Sequence, residues 1–189
     1  MSFQGDIGLL AGVIGFLAFV PYIYDIVKGK TRPSKAGWII WAVLGIVIAA
    51  SYYSAGAHES AFVPAAYALG ILAVAGLSLK YGKEGWTRLD LVCLAGAGLG
   101  IALWAATGDP ASALFLTTAV DMIGAVPTIV KTYHEPKSES LVAWILFAMA
   151  DIANFFAIKE WSLASASYPV YVFILALVMN ALILRPRKR

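Results

Sequence analysis

Two aspartates lie within apolar stretches of the sequence, where a charge is costly. Asp121 and Asp151 each fall roughly ten residues into a segment long enough to span a membrane. A charged side chain at that depth costs about 2.5–3.5 kcal/mol on insertion scales, so it usually faces a cavity or a partner. No lysine or arginine lies at the same depth. Protonation, hydrogen bonds, a bound cation or a cationic substrate remain as ways to stabilise the two carboxyl groups.

These aspartates and one nearby amide are predicted to line a substrate or proton site. Asn154 follows Asp151 by three residues, which puts it on the same face of a helix. The alternative interpretation is structural: one carboxyl group is protonated and packs helices, or faces the water-filled end of a cavity without a role.

The composition determines which elements can position these residues. The chain has 189 residues, of which 61% are hydrophobic and 13% charged, and the mean hydropathy is +0.80. Soluble domains are nearer half apolar and a quarter charged. Backbone polar groups cannot be satisfied by lipid, and long apolar runs favour helices over alternating strands. The sequence therefore predicts an all-α integral membrane protein with the lipid bilayer as its surroundings.

Seven membrane spans are predicted, and the charges between them indicate a topology. The spans are roughly 7–27, 37–54, 61–79, 89–107, 111–131, 141–158 and 164–184. Lysine and arginine concentrate after spans one, three and five and in the tail 185–189, whereas the turns at 56–60 and 108–110 have none. Only Lys159 follows span six. The positive-inside rule then predicts an outside N-terminus and a cytoplasmic C-terminus. Topology explains the net charge of +3, so no nucleic-acid partner is expected.

An internal repeat organises the spans. A separation of 106 residues relates Pro21 to Pro127, Ser34 to Ser140 and Trp38 to Trp144. Spans one to three therefore match spans five to seven, and span four restores the side of the membrane, so that the two copies are parallel. The predicted segments are 1–81, a linker helix within 82–108, and 109–189.

The second copy carries a motif that resembles a known family. Val126-Pro127-Thr128-Ile129, followed by Lys137-Ser138-Glu139-Ser140, is similar to the proline and Lys-Ser pattern of the SWEET and PQ-loop clan of transporters. The resemblance implies seven transmembrane helices, arranged as two parallel three-helix bundles joined by a linker helix. It also implies a transporter that moves a small polar solute (a sugar, an amino acid or an organic cation) by alternating access. Proton coupling and homo-oligomers are left open.

In that clan the proline of each first helix works as a hinge, which assigns hinges to Pro21 and Pro127. The alternative is that a membrane helix tolerates a proline near its end. The chain also departs from the family pattern. Tyr22 and Thr128 stand where the family has glutamine, and spans two and six carry none of the prolines typical of SWEETs. The fold therefore carries over more securely than a sugar substrate.

Two further residues complete the predicted site. Asn180 is a candidate pore residue, although it has only alanine or valine as its counterpart in the first copy. Trp41 lies one turn inside span two and is a candidate for the inner vestibule. Asp121 and Asp151 correspond to Gly15 and Gly45, so the polar set exists in one copy only. A structural device would be expected in both copies, whereas a site need only be built once.

Other functions remain as alternatives. A non-transporting receptor on the same fold, similar to the KDEL receptor, would bind a ligand without flux, and a PnuC-like vitamin or nucleoside facilitator would transport without a proton gradient. The sequence has no motif typical of an enzyme, and no cofactor or metal is expected. The pairs Gly8 with Gly12 and Gly96 with Gly100 are predicted to let helices approach closely.

Overall fold

The computed structural model describes residues 3–54, 62–83, 85–107, 110–158 and 161–186. In these ranges it contains seven α-helices, one short 3-10 turn at Pro136–Ser138 and no strand. The helices are α1 (Phe3–Val27), α2 (Lys35–Ser54), α3 (Phe62–Tyr81), α4 (Arg88–Thr107), α5 (Pro110–His134), α6 (Leu141–Ala157) and α7 (Leu163–Leu184). The predicted all-α class is confirmed. The predicted turns at 56–60 and 108–109, Lys159 and the end of the basic tail, 187–189, lie outside the described residues.

Three of these helices are long and apolar enough to cross a membrane. They are Phe3–Val27, Arg88–Ala106 and Ala166–Leu184, with mean hydropathies of 2.1, 1.9 and 2.0. Lys35–Ala50, Ala65–Tyr81 and Leu141–Ala157 are apolar but shorter. The apolar sequence of α5 is interrupted by Asp121 and, in the last turn, by Lys131. Seven membrane spans therefore stay a prediction.

The first compact unit comprises Met1–Thr31 and Lys131–Arg189. Within it α1 packs along α6, and α6 packs against α7. Both helices carry fully buried small residues, Ala18 on α1 and Ala143 on α6. The rings of Phe19 and Phe147 meet edge to face, with their centroids 5.4 Å apart. Burial of these apolar side chains stabilises the pair of helices.

The second unit comprises Arg32–Val130, which includes α2, α3, α4 and most of α5. One cluster of its buried side chains comprises Ile40, Leu44, Cys93, Ala97 and Val120. A Cβ atom on Gly100 would lie 2.5 Å from Cγ2 of Val120, and one on Gly96 would lie 3.7 Å from Ile123. The predicted packing role of this glycine pair is therefore confirmed, because α4 reaches α5 through it.

Two more glycines join α2 to α5 within the same unit. A Cβ atom on Gly37 would lie 2.6 Å from Oγ1 of Thr128 and 2.7 Å from the carbonyl oxygen of Gly124. A Cβ atom on Gly124 would lie 3.0 Å from both Ile40 and Trp41. At this point the two helices meet backbone to backbone, and only a residue without a side chain fits.

The 106-residue offset also relates the contacts of the two units. It places Ala18 over Gly124 and Ala143 over Gly37, so the α1–α6 pair corresponds to the α5–α2 pair. Trp144 and Phe147 meet edge to face at 5.7 Å, and their counterparts Trp38 and Trp41 do so at 5.1 Å. Each compact unit therefore combines the first helix of one predicted repeat with the second and third helices of the other.

The contact at Gly37 gives a direct test of this packing. We expect Gly37→Ala to lower the free energy of unfolding by about 1–3 kcal/mol, because the new methyl group overlaps a backbone carbonyl. Denaturant unfolding of the purified protein in detergent would measure the loss. Gly76→Ala in α3 is the matched control, since no atom beyond its own stretch of helix lies within 4 Å of the added Cβ. Equal stability of the two variants would contradict the close approach of α2 and α5.

Candidate functional site

The first unit contains a buried carboxylate with partners from three other parts of the chain. Glu139 lies between the 3-10 turn and α6, and it is 6% exposed. The Tyr22 hydroxyl donates to its Oε2 atom at 2.7 Å, and the Trp144 indole N–H donates to the same atom at 3.0 Å. The Lys131 ammonium group forms an ion pair with Oε1. We call Tyr22, Lys131, Glu139 and Trp144 the Glu139 cluster.

The local sequence explains why these four side chains converge. Lys131 lies in the last turn of α5 and also donates to the Ser138 carbonyl at 3.2 Å. The Ser138 backbone N–H and hydroxyl both donate to the Glu135 carbonyl, at 2.9 and 2.7 Å, which closes the turn. Pro136 starts this turn, where its missing N–H group costs nothing. Glu139 then has an extended backbone, and its side chain is carried back towards Lys131.

A second bond holds the end of α1 to the same loop. The Ser140 hydroxyl donates to Oδ2 of Asp25 at 2.6 Å. The backbone carbonyl of Asp25 accepts from the N–H groups of Lys30 and Thr31, at 2.8 and 3.1 Å. The last turns of α1 are therefore fixed to the α5–α6 loop at two positions, Tyr22 and Asp25.

The Glu139 cluster confines two opposite charges in a nearly dry environment. The side chains of Lys131 and Glu139 are 3% and 0% exposed. Removing a charge from water costs several kcal/mol, and the ion pair repays this only where further hydrogen bonds satisfy the remaining atoms. Tyr22 and Trp144 supply such bonds to the carboxylate, and the Ser138 carbonyl supplies one to the ammonium group. The two charges cancel, and hydrogen bonds of defined geometry connect the helix ends.

The structure brings two of the predicted site residues together. In the second unit, the Trp41 indole N–H donates to the backbone carbonyl of Asp121 at 3.2 Å. Both residues are almost fully buried, at 9% and 8% exposure. The contact between them uses the main chain of α5 rather than the carboxyl group.

The other predicted residues lie in the first unit. Asp151 and Asn154 are half-buried on α6. The Asn180 amide donates to the carbonyls of Trp144, at 2.9 Å, and Ala176, at 2.8 Å. Asp151 follows Trp144 by seven residues, about 10 Å further along the helix. Asn180 therefore belongs to the level of the Glu139 cluster and not to that of Asp151. Because Asp121 and Asp151 fall in different units, their shared site stays a prediction.

Both predicted hinge prolines lie inside continuous helices. Pro21 is within α1 and Pro127 is within α5. Each proline lacks the N–H group that would bond the carbonyl four residues earlier, at Leu17 and Ile123. The helices continue beyond the prolines, and the hinge role stays a prediction.

The Glu139 cluster was not predicted from the sequence, where the residues after span five served only as a sign of topology and as part of a family motif. A signal for it was present. At the 106-residue offset, Lys131 corresponds to Asp25 and Glu139 to Pro33, so this opposite pair exists in one copy only. The same comparison between the copies had supported the prediction of Asp121 and Asp151 as site residues. What the comparison could not indicate was that Lys131 turns inward from the end of an apolar helix.

No protein-family model, curated protein or solved structure matches the chain. Over the described ranges, no group of three or more His, Cys, Asp or Glu side chains could hold a metal ion. Membership of the SWEET and PQ-loop clan therefore stays a prediction from the repeat and from the motif around Pro127.

Tyr22 allows the hydrogen bond to Glu139 to be tested with little change in shape. We expect Tyr22→Phe to lower the free energy of unfolding by about 1.5–3 kcal/mol, since it removes a bond to a buried charge. Denaturant unfolding in detergent would measure this. Tyr24→Phe is the control, because Tyr24 is 56% exposed and its ring stays beside Lys28 and Lys30. A loss as large for Tyr24→Phe would show that the bond is unimportant.

The ion pair calls for a double-mutant cycle. Glu139→Gln leaves the Lys131 ammonium buried without its counter-charge, so we expect a loss of about 3–5 kcal/mol. Adding Lys131→Met removes the stranded charge, and we expect the double variant to be more stable than Glu139→Gln alone. Unfolding free energies of the four proteins give the coupling. Losses that simply add would indicate that the two charges do not interact.

Proposed function

We propose that the chain is a multi-pass membrane transporter that moves a small polar solute by alternating access. The observation that carries the proposal is the correspondence between its two helix pairs, α1–α6 and α5–α2. The first helix of each pair contains the proline of the repeat. Parallel repeats related by an axis along the membrane normal are one of the known designs of secondary transporters.

The surface of the helices supports placement of all seven in a bilayer. Each helix exposes at least one large apolar side chain; examples are Leu9, Val43, Leu69, Leu99, Phe115, Ile152 and Leu177. Contact of these side chains with lipid costs no free energy, whereas their exposure to water is unfavourable. Seven spans are also consistent with the charge pattern, which favours an outside N-terminus and a cytoplasmic C-terminus.

Cations near the described helix ends support this proposed topology. Lys28 and Lys30 follow α1 and flank the ring of the exposed Tyr24. Lys80 lies over the Tyr81 ring at the end of α3, and Arg185 lies over the Tyr133 ring after α7. Aromatic and cationic side chains of this kind are typical of a membrane–water interface. In our proposal these positions share the cytoplasmic side.

The groups proposed to recognise the solute, or a coupling proton, are Asp121, Asp151 and Asn154. Asp121 is buried on α5, behind Trp41, and Asp151 and Asn154 are half-buried on α6. A carboxyl group inside an apolar helix is costly unless it has a use or a partner. Carboxylate and amide groups suit a cationic or hydroxyl-rich solute. The resemblance to the SWEET and PQ-loop clan favours a sugar, an amino acid or an organic cation.

Uptake into proteoliposomes tests this function. We expect uptake of at least one of a hexose, an amino acid and a quaternary amine, measured with and without a pH gradient. Asp121→Asn and Asp151→Asn should each lower the rate by about tenfold or more, equivalent to about 1.4 kcal/mol of barrier. Asp6→Asn, at an exposed position in the first turn of α1, is the control.

The outcomes separate the candidate functions. Unchanged uptake in Asp121→Asn and Asp151→Asn would remove both carboxyl groups from the mechanism. Binding of a solute without any flux would contradict transport and favour a receptor. Uptake that ignores the pH gradient would favour a facilitator.

A further inference from the structure

We propose that the Glu139 cluster is a releasable latch between α1 and α6, and that the glycine contact between α2 and α5 is its fixed counterpart. The two helix pairs would then open unequally, although they correspond in the repeat. The α1–α6 pair would separate at its Glu139 end, whereas the α2–α5 pair would stay closed. This inference rests on the alternating access proposed above.

The first argument is the position of the latch relative to Pro21. Tyr22 is the next residue, so its bond to Glu139 lies directly beyond the point where α1 lacks a backbone hydrogen bond. Asp25, one turn later, accepts from Ser140. Residues 22–27 therefore form a short helical segment that follows a missing backbone hydrogen bond and is attached by two side-chain bonds to the loop. Release of those bonds would leave the segment free to bend.

The second argument is the asymmetry between the copies. At the 106-residue offset, the positions of Tyr22, Lys131 and Glu139 are occupied by Thr128, Asp25 and Pro33. The second pair therefore lacks the carboxylate, and it is held instead by Gly37 against the backbone of Gly124. The first pair has Ala143 and Ala18 at those two places, without glycine.

The third argument is the physical difference between the two kinds of contact. Hydrogen bonds and ion pairs can be exchanged for bonds to water once a helix end opens, so their net contribution is far below their gross strength. A tight backbone contact has no such replacement, and separating it forfeits its dispersion energy outright. A polar cluster therefore suits a joint that opens and closes, whereas a glycine contact suits one that does not.

The experiment measures how readily water reaches each helix pair. The background is the full chain with Cys93→Ala, which removes its one cysteine. Reporter cysteines are then placed singly at Ala143, which is fully buried beside Trp144, and at Ala125, which is 2% exposed beside Gly124. The protein is placed in permeabilised liposomes, so that a charged methanethiosulfonate reagent reaches both sides of the membrane. The rate at which the reagent modifies each cysteine is then measured. Each reporter is combined with Tyr22→Phe, Trp144→Phe or the control Tyr24→Phe.

We expect Tyr22→Phe and Trp144→Phe to raise the rate at the Ala143 reporter by about tenfold, because each removes a bond to a charged acceptor. The rate at the Ala125 reporter should stay the same, and Tyr24→Phe should change neither. Equal increases at both reporters would indicate general loosening and would overturn the latch. So would an unchanged rate at the Ala143 reporter.

These rates do not depend on a solute, so the latch and the transporter can fail separately. If Tyr22→Phe and Trp144→Phe speed labelling at the Ala143 reporter only, and the protein transports none of the solutes, the latch is supported and the transporter is refuted. Transport accompanied by equal labelling at both reporters would retain the transporter and refute the latch. Conservative variants are used because Glu139→Gln strands a buried charge and would itself unfold the helix end.

Discussion

The arrangement of the first unit depends on one buried carboxylate. A charge at the entrance of α6 can leave water only if donors surround it, and Glu139 has donors from the end of α1, the end of α5 and α6 itself. Each donor holds one helix in position against Glu139. Tyr22 holds α1, Lys131 holds the end of α5, and Trp144 holds the first turn of α6. The 3-10 turn is the connection that lets all three be satisfied together. Ser140 then adds a bond to Asp25 one turn further along α1.

The two units solve the same packing problem by different physical means. In each, a helix with an internal proline lies against a helix that opens with tryptophan. The second unit brings its pair together by removing side chains, at Gly37 and Gly124. The first keeps alanines there and adds polar bonds at the helix end. A close steric contact stabilises two helices only over a narrow range of distances. A polar cluster stabilises them strongly in one geometry, and water can replace its bonds when the helices separate. Two copies that share the prolines Pro21 and Pro127 and the tryptophans Trp38 and Trp144 therefore differ in how their helix pairs are joined.

Much of the fold follows from the sequence, and the reasons are local. Apolar runs determined the helices, and Gly96 with Gly100 determined a close contact, because a run and a spacing can be counted along one segment. The Glu139 cluster could not be found in that way. It depends on a turn that brings Lys131 and Glu139 together over eight residues, and on Tyr22 from more than a hundred residues away. The grouping of α1 with α6 and α7 was likewise outside the reach of any local pattern.

The Glu139 cluster also bears on the prediction that Asp121 and Asp151 line a site. Asp121 and Asp151 were predicted from their depth in apolar segments and then supported by the glycines in their places in the other copy, and Glu139 has a proline in its place. Yet Glu139 is explained by its partners, as a joint between helices. Polarity in one copy therefore marks where the copies have diverged, and it does not by itself mark a binding site. The stronger argument for the aspartates is depth, because Asp121 and Asp151 lie well inside their helices whereas Glu139 lies at a helix end. In a membrane a carboxyl group at that depth would be costly without a partner or a use, so position in the helix is the ground on which the predicted site rests.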